Sequence, residues 1–78
     1  LILGELLKSI DKVWVKINAK EVEVKNGTKL LEIIKDFKFD INRIAVEKNG
    51  EILSKNLWKD DLLSKNDNYE IVEFVGGG

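Results

Sequence analysis

Two short stretches of this chain, residues 13–17 and 21–25, alternate apolar and polar side chains and are separated only by Asn18-Ala19-Lys20. Successive side chains of a strand point to opposite faces. Val13, Val15 and Ile17 therefore share one face, with Trp14 and Lys16 on the other. Val22 and Val24 repeat the pattern. Two such runs joined by a short turn predict a β-hairpin with one apolar face that must be covered. The cover follows at once. Asn26-Gly27 breaks the second strand, and Thr28 is a candidate N-cap. From Lys29 to Lys38, the residues Leu30, Leu31, Ile33, Ile34 and Phe37 recur at spacings of three and four. That is an amphipathic helix lying on the hairpin. Its aliphatic stripe reads as core packing, not as a cofactor box.

The size of the chain limits what else it holds. With 78 residues, 44% hydrophobic and 35% charged, it amounts to one small domain, near the size where a single core barely offsets chain entropy. It contains no Cys and no His, which removes disulfides and the usual zinc sites, so stability must come from packing. Net charge is −1, with Lys and Glu interspersed, and no basic stripe suits a phosphate backbone. No apolar run approaches the roughly 20 residues that span a bilayer. Neither nucleic acid nor membrane is an expected partner. No secretory signal pattern is visible, and the cytoplasm is the default expectation.

The sequence begins at Leu1 and contains no Met, so its first residues carry little weight. Ile2, Leu3, Leu6, Leu7 and Ile10 fall at helical spacing, although Gly4 weakens a helix by about 1 kcal/mol. Residues 1–12 are expected to form a helical extension. A helix packed on the domain, a self-association surface and a frayed leader all fit that pattern.

After the helix, residues 39–43 are a connector and residues 44–47 a short strand. Lys48-Asn49-Gly50-Glu51 carries the Asn-Gly pair preferred in type I′ turns, and Ile52-Leu53 returns briefly. Residues 54–68 are polar and irregular, with Leu57, Trp58, Leu62 and Leu63 expected as anchors. Asp60-Asp61 reads as two solvated carboxylates and not as a metal pair, since no third ligand lies nearby in sequence. Residues 69–75 form the last strand. Tyr69 and Ile71 fit its inner side, and Glu70, Val72 and Phe74 face out. Outward Val72 and Phe74 suggest a docking surface; edge packing beneath residues 1–12 is the alternative. The strand runs into Gly76-Gly77-Gly78. Three residues without Cβ atoms reach about 10 Å beyond the domain and pass where a side chain would block. The expected architecture is α+β: a β-grasp, ubiquitin-like roll over residues 13–75, with a mixed sheet, one main helix on one face and a flexible tail at 76–78.

A terminal carboxylate has an ordinary pKa of about 3.5, so at neutral pH it is an anion and a poor electrophile. It accepts a nucleophile only after activation to a mixed anhydride. The chain has no phosphate-cradling P-loop pattern, no Cys and no His. The expectation is a carrier acted on by other enzymes, not an enzyme.

Four segments resemble a known family. Gly27-Thr28-Lys29-Leu30-Leu31-Glu32 looks like its helix start. Ile44-Ala45-Val46-Glu47-Lys48-Asn49-Gly50-Glu51-Ile52 is similar to its central Val-Ala-Val-Glu-x-Asn-Gly-Glu-Ile segment. Trp58 sits where an aromatic often follows, and residues 70–78 resemble its closing strand and glycine tail. The chain thus resembles the ThiS family of sulfur carrier proteins of thiamine (thiazole) biosynthesis. It departs from the pattern at Ala19 and Asn66, where the family usually has glycine. The resemblance implies partners: a ThiF-type adenylating enzyme using ATP and Mg²⁺, a persulfide sulfur donor, and a ThiG-type thiazole synthase. It implies that Gly78 carries the adenylate and then the thiocarboxylate, and that Gly76 and Gly77 thread the partner's channel. Val72, Phe74 and Val75, with Ala45 beside them, would dock the body. No cofactor is expected on this chain. The alternatives are the MoaD-like small subunit of molybdopterin synthase, another ubiquitin-like carrier or modifier, and a β-grasp interaction module that conjugates nothing. The three-residue turn after the first strand and the absence of Pro favour the thiamine carrier.

Overall fold

A computed structural model describes residues 11–75. The expected helical extension therefore lies outside the described residues, apart from Asp11 in a turn and Lys12 in a strand. The glycine tail, 76–78, lies outside them as well.

Strands β1 (Lys12–Ile17) and β2 (Lys20–Lys25) form the hairpin, with Val15 opposite Val22 and Ile17 opposite Lys20. The loop is two residues, Asn18 at φ 52° and Ala19 at φ 70°, one shorter than the sequence suggests. Positive φ at both positions matches the right-handed twist of the strands and lets Lys20 pair. Next come α1 (Leu30–Asp36), β3 (Ile44–Lys48), β4 (Glu51–Ile52), a 3₁₀ turn at Lys55–Leu57 and β5 (Asn68–Glu73). Asn49 and Gly50 both have positive φ, as the Asn-Gly pair predicts for the β3–β4 turn.

The sheet order is β2-β1-β5-β3-β4. β5 runs parallel to β1 and antiparallel to β3, so the last strand is the centre of a mixed sheet. This is the β-grasp arrangement. Leu30, Ile33 and Ile34 of α1 pack with Val15, Ile17, Val24, Ile44, Val46, Tyr69 and Ile71 from one sheet face. Trp58 and Leu63 close the core, and the Trp58 indole N–H donates to the Leu53 carbonyl at 2.9 Å.

The helix is shorter than its apolar spacing suggests. Thr28 is not its cap: its hydroxyl donates to the Lys25 carbonyl at 2.6 Å, turned back toward β2. Lys29 stands at the N-cap with an extended backbone, and its N–H donates to the Glu32 carboxylate at 2.8 Å. The next amides are met by a distant loop, Leu30 N–H by the Asp61 carbonyl at 2.8 Å and Leu31 N–H by that of Trp58 at 3.1 Å. A helix start leaves four such donors open, and here backbone carbonyls replace a side-chain cap. At the other end Lys38 adopts φ 61°, with Lys38 N–H bonded to Lys35 O and Phe39 N–H to Ile34 O. That is the Schellman pattern, and it ends the helix before Phe37 reaches the core. Phe37 is exposed at the rim, where its spacing placed it in the apolar stripe. Of the four expected loop anchors, Trp58 and Leu63 are buried and Leu57 and Leu62 are exposed. No helix of the described residues is long and apolar enough to cross a membrane.

Candidate functional site

The candidate site is the end of β5 and the sheet face that α1 leaves uncovered. Tyr69 and Ile71 are buried toward the helix, so Glu70 and Val72 point the other way. Val72 is 56% exposed, Phe74 59% and Val75 94%. Ala45 stands directly opposite Val72 across β3–β5. One member of the apolar patch escaped the sequence reading. Ile52 of β4 pairs with outward-facing Glu47 and is 76% exposed. The register implied by the Asn49-Gly50 turn would have revealed it, because residues flanking a hairpin turn share faces with their partners.

β5 is shorter than residues 69–75: it ends at Glu73, and Phe74 and Val75 have left the strand. Its end is nonetheless held on both sides. β1 stops at Ile17, and the side chain of Asn18 takes over as a surrogate strand. Its Oδ1 accepts from Ile71 N–H at 2.7 Å and its Nδ2 donates to Ile71 O at 3.1 Å. On the β3 side, Phe74 N–H donates to Arg43 O at 2.7 Å. The Glu73 carboxylate accepts from Asp40 N–H at 2.9 Å. The backbone is pinned through Phe74, and Val75 is the first residue clear of the body. The sequence-expected tail residues Gly76, Gly77 and Gly78 follow it, outside the described region.

Asp61 corrects the sequence reading in a second way. It is not a solvated carboxylate: its side chain is 10% exposed and pairs with Lys48 Nζ at 2.7 Å. The Tyr69 hydroxyl donates to its other oxygen at 2.5 Å. Asp67 lies 3.6 Å from the same ammonium, and Lys48 stands over the Tyr69 ring. Burial lowers the Lys48 pKa, but the bonds and charges of Asp61 and Asp67 outweigh it and hold the ammonium above its ordinary value. Burial, reinforced by the bond to Asp61, pushes the Tyr69 hydroxyl well above the usual tyrosine range. The cluster joins β3, β5 and the loop, and no group of acidic residues among the described residues is arranged to hold a metal.

The sequence model of the ThiS family matches residues 15–78, from the second half of β1 to the last glycine. This chain belongs to the ThiS family. The sulfur carrier protein ThiS of Bacillus subtilis (strain 168) is 32% identical over 65 residues, covering 82% of this chain and 98% of that protein. An uncharacterized protein, ycf40, of Trieres chinensis is 36% identical over 62 residues, covering 80% of this chain and 85% of its own length. The crystal structure of a thiamine biosynthesis protein, ThiS from Geobacter metallireducens, superposes with a TM-score of 0.71 at 25% identity. That match covers 85% of this chain and all of the Geobacter chain. The ThiS match includes both halves of the site, the β5 end and the three glycines.

Proposed function

We propose that this chain is a sulfur carrier of thiamine biosynthesis whose working group is the Gly78 carboxylate. The observation that carries the reading is the pinned end of β5: exposed apolar side chains and a backbone fixed as far as Phe74, followed in sequence by three glycines, in a ThiS-family chain. A ThiF-type enzyme uses ATP and Mg²⁺. The Gly78 carboxylate attacks the α-phosphorus, pyrophosphate leaves, and an acyl-adenylate results. The terminal sulfur of a persulfide donor then attacks the acyl carbon and displaces AMP. A second thiol cleaves the resulting S–S bond, which leaves the thiocarboxylate on Gly78. A ThiG-type thiazole synthase takes that sulfur. The chain contributes position and clearance, and the catalytic groups belong to its partners. Val72, Phe74, Val75 and Ala45 seat the body, while Gly76 and Gly77 admit the tail to a channel where side chains would clash.

Intact mass tests this directly. Incubation with a ThiF-type enzyme, ATP, Mg²⁺ and a persulfide donor should add about 16 Da, one oxygen replaced by sulfur. Gly77→Val should abolish the gain and leave the melting temperature unchanged. A Gly77→Val protein adenylated at the normal rate would end the channel argument. A thiocarboxylate that thiazole synthase does not consume would end the assignment to thiazole.

A further inference from the structure

The β3–β5 register sets Glu47 directly opposite Glu70 on the uncovered sheet face. Both are exposed, and neither has an ion-pair partner among the described residues. Like charges facing each other across an antiparallel pair destabilise it. The neighbouring hairpin avoids this: Lys16 faces Glu21, and the like pair Lys12–Lys25 is relieved by Glu23, 3.6 Å from Lys12 Nζ. The acidic pair is bordered by apolar groups on two sides, and by Asn68, with Lys16 opposite it, on a third. Ile52 lies across Glu47 on the far side, and Ala45 and Val72 form the next outward row. A local conflict left standing at the edge of an apolar patch is the kind of feature expected where a surface serves a partner.

We infer that Glu47 and Glu70 together form a specificity element of the docking face, a seat for one arginine of the adenylating enzyme. This rests on the carrier reading above. Arginine fits better than lysine because its planar fork bridges two acceptors, whereas an ammonium is a compact point charge. The apolar residues supply contact area, and the acid pair selects a partner that brings a cation to this point and disfavours one that brings an anion.

The test uses the full chain with a ThiF-type enzyme, and compares wild type with Glu47→Gln, Glu70→Gln and the double variant. Adenylation of wild type comes first; if it is absent, the carrier reading fails and this inference falls with it. Given adenylation, each single variant should lose about ten-fold in affinity, with a shallower dependence on salt. The free double variant should melt no lower than wild type, because the repulsion is gone. Loss of binding with a gain in stability separates a recognition role from a structural one. If wild type is adenylated and the double variant binds as tightly with the same salt slope, the inference is overturned. A wild-type dimer that the double variant abolishes, at unchanged enzyme affinity, would assign the face to self-association and overturn it equally.

Discussion

Ala19 holds the second position of the β1–β2 turn at φ 70°. That conformation costs an L-residue about 1–2 kcal/mol and costs glycine little. Glycine at this position would meet the turn without that cost. Ala19→Gly should raise stability by about 1 kcal/mol after the extra unfolded-state entropy of glycine is subtracted. Urea denaturation checks this, and a loss of stability would show that the strain is absent. The sequence marks Asn18, next to it, as a turn residue. Its second task, bonding both backbone groups of Ile71, joins positions 53 apart in the chain and has no local signature. Asp61 departs from its sequence expectation for a similar reason. Its partners, Lys48 and Tyr69, lie 13 residues before it and 8 after it. Next to Asp60 in a polar stretch, it gave no sign of burial.

At the scale of elements, alternation was a reliable guide because each strand buries one face. Val15, Ile17 and Val24 face in and Trp14 faces out, as their spacing implies. Helix limits were less legible. Thr28 had the chemistry of a cap, but carbonyls of Trp58 and Asp61 already satisfied the donors it would have served. The Schellman turn at Lys38 placed Phe37 beyond the core for reasons of backbone geometry that apolar spacing does not encode. The end of β5 bears on the proposed function. Phe74 presents its ring to solvent while its amide is fixed to Arg43. Phe74→Ala should therefore weaken partner binding by about ten-fold or more, as expected of an exposed aromatic anchor. Its melting temperature should stay close to wild type. A large fall in melting temperature with unchanged affinity would mean that the ring packs on the body instead.

At the scale of the whole molecule, the Lys48–Asp61–Asp67–Tyr69 cluster links the central strand to the loop that caps the helix. Both Lys48 and Tyr69 are held above their ordinary pKa values. A raised folded-state pKa contributes stability that is complete below the unfolded value and is lost as pH climbs past it. Unfolded tyrosine and lysine titrate near about 10 and 10.4, so stability should be flat through neutral pH and fall from about pH 10 upward. The chain has a single tyrosine, which makes its ultraviolet titration unambiguous. The tyrosinate signal should appear together with unfolding, and Tyr69→Phe should make the alkaline fall shallower. A tyrosine that ionises near pH 10 in the folded protein would contradict the burial and bonding described for it.

The placement of β5 has a mechanical consequence. In the proposed reaction, drawing the C-terminal glycines into an enzyme's channel would pull along the axis of a strand flanked by β1 and Asn18 on one side and by β3 on the other. Its cross-strand bonds lie across that pull, so the load is shared in shear instead of parting one bond at a time. Under that proposal the body would follow its tail to the partner without unravelling from that end.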